Sequence, residues 1–148
     1  MIKIRELASL DAHELVLSKP GAILVDVRST MEFLFVGHPI DAAHIAWIDE
    51  PDWEENKHFA EDIQHLVISR GLTKDSATLV LICRSGKRSH VAGNHLIQHG
   101  FSKVYNVSEG FEGDKNDSSQ RNTIGCWRYH GLPWEPVSYT HLTLPTKA

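Results

Sequence analysis

The sequence predicts an α/β fold built on a parallel sheet, and two observations carry that prediction. Apolar runs of strand length alternate along the chain with stretches whose apolar residues recur at helical spacing. The runs Ala22-Ile23-Leu24-Val25-Asp26-Val27 and Leu79-Val80-Leu81-Ile82 are also almost unbroken and rich in β-branched residues. That pattern fits strands covered on both faces of a sheet.

Taken in order, Ile2 and Ile4 alternate with charged residues and predict a short edge strand. Ser9 is placed to cap a helix whose apolar residues are Leu10, Ala12, Leu15, Val16 and Leu17, ending before the Pro20-Gly21 turn. Residues 22–28 form a strand, and Ser29 stands three residues before Glu32, the spacing of a capping box. Residues 43–48 predict a short strand that Asp49-Glu50-Pro51-Asp52 breaks. Phe59, Ile63, Leu66 and Val67 then recur at helical spacing within residues 58–70. Gly71 followed by Leu72 reads as the left-handed end of that helix with its apolar contact. A turn at 73–76 leads into the strand 77–82. From about Ser89 a helix follows, with Val91, Ala92, Leu96 and Ile97 facing a core, and His99-Gly100-Phe101 closes it in the same way as Gly71 closes its predecessor. Residues 103–107 make the last strand. Residues 114–122 are polar, without periodicity, and predict a loop. One domain is expected over residues 1–136. Residues 137–148 match nothing before them and are expected to be a loosely attached, non-native tail.

Composition narrows the function classes. A chain of 148 residues with 41% hydrophobic content suffices for one domain with a core. A net charge of −4 argues against a broad nucleic-acid-binding face. No apolar run reaches the ~18 residues of a membrane span, and the first residues lack the apolar stretch of a signal peptide. Two cysteines, Cys83 and Cys126, offer no disulfide framework, so a cytoplasmic protein with reduced thiols is expected.

Against that acidic background one stretch stands out. The strand 79–82 delivers Cys83 into the loop Arg84-Ser85-Gly86-Lys87-Arg88-Ser89, with three cations and one glycine, at the start of a helix. N–H groups at a helix N-terminus are unpaired and partly positive, and they attract anions. Such a field favours a thiolate over a thiol. Gly86 permits the left-handed backbone that lets several N–H groups converge.

The loop Cys83-Arg84-Ser85-Gly86-Lys87-Arg88-Ser89 resembles the active-site loop of rhodanese-type sulfurtransferases, C-R-x-G-x-R followed by Ser or Thr. Asp26-Val27-Arg28, Glu32-Phe33 and Gly37-His38 resemble a second hallmark of that family, with Pro39-Ile40-Asp41-Ala42 departing from the usual I-x-G-A. Glu109-Gly110-Phe111-Glu112-Gly113, Gly125-Cys126-Trp127 and Gly131-Leu132-Pro133-Trp134 resemble its C-terminal segment. The resemblance covers about residues 4–136. It implies a three-layer domain, a parallel sheet of about five strands flanked by helices.

The resemblance also implies sulfur transfer of the thiosulfate sulfurtransferase kind. Cys83 attacks the outer sulfur of a small anionic donor such as thiosulfate, becomes a persulfide, and passes the sulfur to cyanide or a thiol. This chemistry needs no metal or organic cofactor. Arg84, Ser85, Gly86, Lys87, Arg88 and Ser89 are the expected substrate-binding residues, with Lys87 and Arg88 preferred over Arg84 for the donor's oxyanion. An Arg28–Glu32 pair, with Asp26, is expected to support the loop from behind. Alternatives stay open: a persulfide carrier or binding module in a sulfur-relay pathway, or a phosphatase or arsenate reductase on the same fold. The last is disfavoured by spacing, since Arg88 closes a C-x4-R loop where cysteine phosphatases need C-x5-R.

Other residues have plainer readings. Cys126 beside Trp127 is expected to be structural. His95 and His99 share a helix face, but with no accompanying Glu or third ligand they predict surface histidines and no metal site. Trp47, Trp53, Trp127 and Trp134 are expected in the core or on a cleft wall.

Overall fold

The computed structural model describes residues 3–113, 115, 118, 120–121 and 125–135. Ile2, most of the predicted loop 114–122 and the tail 137–148 lie outside them.

The strands are β1 (Arg5–Leu7), β2 (Ala22–Asp26), β3 (His38–Pro39), β4 (Ala43–His44), β5 (Thr78–Ile82), β6 (Val104–Val107) and β7 (Trp134–Glu135). The helices are α1 (Ser9–Ser18), α2 (Phe59–Ser69) and α3 (Lys87–Gln98). Five strands form one sheet in the order β1-β6-β5-β2-β4, with every pair parallel. β3 and β7 pair antiparallel beside it, His38 opposite Glu135.

Side-chain alternation along the strands divides the core in two. Ile23, Val25, Leu79, Leu81 and Cys83 face one layer, where Phe59, Ile63 and Val67 of α2 and Ala92 and Leu96 of α3 cover them. Leu24, Val80 and Ile82 face the other, under Ala12 of α1 with Phe111, Trp127 and Leu132. The chain leaves β2 for β4 on one side, then returns to β5 on the other. The carboxyl ends of β2 and β5 therefore flank the switch point where such sheets bind ligands. No helix among the described residues is long and apolar enough to cross a membrane.

Several local expectations are corrected. The first strand is Arg5–Leu7, later than Ile2 and Ile4 suggested, although it does lie at the sheet edge. Ser9 is the first helical residue rather than the cap; its N–H donates to Glu109 Oε1 at 2.8 Å, a carboxylate from far along the chain. Leu10 and Leu17 are exposed, so the buried stripe of α1 is narrower than its leucines implied. α3 begins at Lys87, two residues before Ser89, because Gly86 takes a left-handed conformation and starts the helix at once. Its inner face is Ser89, Ala92, Gly93 and Leu96, which leaves Val91 one position off the stripe and 49% exposed. The strand expected over 43–48 is regular only at Ala43–His44, though Ile45 and Trp47 still donate to the carbonyls of Asp26 and Val27. Trp47 and Trp127 are core residues and Trp134 is half-buried, whereas Trp53 is exposed.

Candidate active site

Cys83 directly follows β5, and its place in the strand alternation turns its side chain toward α3. The residue is 1% exposed, yet its sulfur is not surrounded by hydrocarbon alone. The N–H of Gly86 donates to Sγ at 3.2 Å, the N–H of Ser89 at 3.3 Å, and the Ser89 hydroxyl lies at 3.2 Å. Such a set of donors converges on an anion.

The loop keeps this shape because its carbonyls are bonded elsewhere. Cys83 O accepts from Phe111 N–H at 2.8 Å, and Arg84 O accepts from the N–H groups of Glu112 and Gly113, each at 3.0 Å. The turn after β6 therefore grips the loop from outside. Two glycines make the grip possible. Gly86 has φ +94°, and a Cβ there would lie 2.3 Å from Ser108 O. A Cβ on Gly110 would lie 2.4 Å from Arg84 O.

At the end of β2, Asp26 and Arg28 are fully buried and paired with each other. Arg28 Nη2 donates to Asp26 Oδ2 at 2.7 Å and Nε to Oδ1 at 3.0 Å. Nη2 also donates to Gly37 O, and the guanidinium lies 4.5 Å from the centre of the Phe111 ring. The expected Arg28–Glu32 pair does not form. Glu32 instead binds Arg88, with Nη1 to Oε1 at 2.7 Å and Nη2 to Oε2 at 2.9 Å. Residues four apart, such as Arg28 and Glu32, meet on a regular helix. Arg28, however, precedes the short π-helical turn Glu32–Val36, and its side chain folds back onto Asp26. The Ser29–Glu32 capping box does form, the Glu32 N–H donating to Ser29 Oγ at 3.3 Å and the Ser29 N–H to Glu32 Oε1 at 3.3 Å. Its carboxylate thus joins the β2 turn to the active-site loop.

Burial alone would raise the Glu32 pKa, but the hydrogen bonds and charge of Arg88, helped by Ser29, outweigh it and bring it down to about 2. The same hydrogen bonds raise the pKa of Arg88. A carboxylate depressed in the folded state stabilises the fold above its ordinary value of 4.5 and loses that contribution as pH falls toward about 2. Urea unfolding of the parent and of Glu32→Gln is therefore expected to converge as pH drops through that window, and to differ at neutral pH.

The remaining loop side chains face outward. Arg84 and Lys87 are exposed. Ser85 and Lys87 line an open pocket of about 590 Å³ together with Lys115 and Arg121. Arg121 is held there by donating to Gly113 O at 2.7 Å, and Gly113 is itself bonded to Arg84. Among the described residues, the three cations and one hydroxyl that line it make this an anion-attracting mouth. Sequence reasoning missed Lys115 and Arg121, which sit in a segment without periodicity. It also missed Asn106, although a polar residue inside the apolar strand Val104–Val107 is a signal of its own.

Cys126 is buried and burial pushes its thiol pKa up, with the Tyr129 and Arg128 N–H groups pulling the other way. The His95 and His99 rings lie tilted against each other with centres 4.3 Å apart, and the His95 ring also lies 5.2 Å from that of Trp47. Burial, then His99, lowers the His95 pKa. Among the described residues no group of three His, Cys, Asp or Glu is placed to hold a metal ion.

The chain is similar to known proteins over most of its length. It is 31% identical to Uncharacterized protein RC0915 of Rickettsia conorii, over 90% of this chain and 99% of that one. It is 27% identical to Thiosulfate sulfurtransferase GlpE of Actinobacillus pleuropneumoniae serotype 3, over 88% of this chain and 92% of that protein. The crystal structure of Rv0390 from M. tuberculosis superposes with a TM-score of 0.76 at 30% identity, covering 90% of this chain and 98% of that one. The family model of the rhodanese-like domain matches residues 9–117. The parallel five-stranded sheet, the cysteine at its central strand end and these matches agree: the chain belongs to the rhodanese-like domain family.

Proposed function

We propose that the protein is a sulfurtransferase that carries sulfur as a persulfide on Cys83. The observation that carries this reading is the cradle of Gly86 N–H, Ser89 N–H and Ser89 hydroxyl around a single buried sulfur. The Cys83 thiolate attacks the outer sulfur of thiosulfate, the bond between the two donor sulfurs breaks, and its electron pair leaves with sulfite. Cyanide or a thiolate then attacks the outer sulfur of the persulfide, and Cys83 departs as the thiolate. The cradle offsets negative charge on both sulfur forms. Ser85, Lys87, Lys115 and Arg121 attract the donor and the departing oxyanion at the mouth, with Arg84 exposed beside them. Arg88 is half-buried and interacts with Cys83, but Glu32 holds its guanidinium. The loop closes at Arg88, one residue short of the spacing that cysteine phosphatases use.

Intact mass after thiosulfate exposure tests this. The parent is expected to gain one sulfur and Cys83→Ser none; no gain on the parent overturns the reading. Lys87→Ala and Arg121→Ala are expected to raise KM for thiosulfate several-fold with the urea midpoint unchanged. Arg88→Ala differs from these, because it also leaves the Glu32 carboxylate without its partner and lowers stability.

A second reading is a persulfide carrier that accepts sulfur from a partner enzyme. The size of the cationic mouth, about 590 Å³, favours it, since an acidic segment of a partner has room there. Faster sulfur loading from a cysteine desulfurase than from thiosulfate would select it.

A further inference from the structure

Ser89 Oγ lies 3.2 Å from Cys83 Sγ and within hydrogen-bond distance of Asn106 Oδ1 as well. A hydroxyl has one proton and cannot donate to both. Asn106 cannot supply the missing proton. Its Nδ2 donates to Glu6 Oε1 at 2.7 Å and to Gly86 O at 2.9 Å, and both of these only accept. Turning the amide over would set its oxygen against two acceptors. Ser89 and Asn106 are buried, at 0% and 1% exposure.

Two arrangements satisfy this geometry. In the first, Cys83 is a thiol, its S–H donates to Ser89 Oγ, and the Ser89 hydroxyl donates to Asn106 Oδ1. In the second, the thiol proton has gone to solvent, and the hydroxyl has turned to donate to the sulfur. The N–H groups of Gly86 and Ser89 then donate to the same atom, and Asn106 Oδ1 has lost its donor. We infer that Asn106 is a positioning residue acting through Ser89: it competes with the Cys83 sulfur for one hydroxyl proton, and Glu6 orients its amide for that competition. The inference rests on Cys83 reacting as a thiolate. Removing Asn106 frees the hydroxyl for the sulfur, whereas removing the hydroxyl takes a donor from it, so the two changes act in opposite directions.

Of the other charges, Arg88 on α3 interacts with the sulfur and with Asp26 at the end of β2, and Glu32 and Arg28 are paired to them. Arg84 and Lys87 are exposed on the loop, and Glu6 is paired with His90 beyond Asn106. All of them are common to the variants compared.

The test is the pH dependence of Cys83 alkylation by iodoacetamide, localised by peptide mass spectrometry. It reads the thiolate without requiring sulfur transfer, so it stands or falls separately from the proposed reaction. Asn106→Ala is expected to move the half-maximal pH down by about one unit, which is about tenfold faster alkylation on the acid limb. Ser89→Ala is expected to move it up, and the double variant to match Ser89→Ala. Shifts of the same sign, or an Asn106 effect that survives in the Ser89→Ala background, overturn the inference. A measurement that leaves Asn106 in place provides a second check. The Cys83 S–H stretching band of the parent is expected at lower frequency than in Ser89→Ala, and identical bands overturn the inference.

Discussion

Arg28→Met is expected to destabilise the protein by about 3–5 kcal/mol, the loss typical when one member of a buried ion pair is removed. Arg28 and Asp26 are both at 0% exposure, and their salt bridge lies at the end of β2, an inner strand of the sheet next to β5. Without the guanidinium, the Asp26 carboxylate stays buried with the backbone N–H of residue 28 as its one remaining donor among the described residues. Gly37 O loses its donor as well, and Phe111 loses the cation on its face. The urea midpoint measures this, with an unchanged m-value marking a change in stability alone. Asp26→Leu combined with Arg28→Met is expected to recover much of the loss, because no unpaired charge then remains inside. If the double variant is as unstable as Arg28→Met, the pair acts through shape and not through charge.

Gly86→Ala is expected to slow sulfur loading of Cys83 by about 100-fold, the scale that a shift of about 1 Å in reacting groups can produce. A left-handed residue with a Cβ costs about 1–2 kcal/mol, and here the added carbon would also lie 2.3 Å from Ser108 O. Relief requires moving the loop away from the β6 turn, and the Gly86 N–H that donates to Cys83 moves with it. Rates of persulfide formation, followed by mass, measure the effect. Circular dichroism is expected to stay unchanged, since β5 and α3 lie on either side of the distortion. A loading rate equal to the parent's would show that the Gly86 N–H contributes nothing to the reaction.

These two expectations mark different limits of the sequence. The importance of Gly86 was readable from its place between a strand, a cysteine and a helix, because glycine's backbone freedom is a property of the residue itself. The importance of Arg28 was readable, but its partner was not. The family resemblance pointed to Glu32, and the structure gives it Asp26. Spacing predicts partners where the backbone is regular, and the backbone after β2 turns into a π-helical segment instead. Ser9 shows the same limit. Its helix begins one residue earlier than a Ser9 cap implied, and the group that satisfies the Ser9 N–H is Glu109, one hundred residues away.

The sequence by itself determined the parallel α/β sheet, the cysteine at a strand end and the cationic loop leading into a helix. Each of these follows from local pattern: apolar runs, a glycine and the order of neighbouring residues. Only the tertiary structure decided that Glu32 holds Arg88, that Lys115 and Arg121 complete the mouth, and that Asn106 reaches the hydroxyl beside the sulfur. Those contacts join segments far apart in the chain, and their partners are chosen by which strand ends and turns the sheet order brings together.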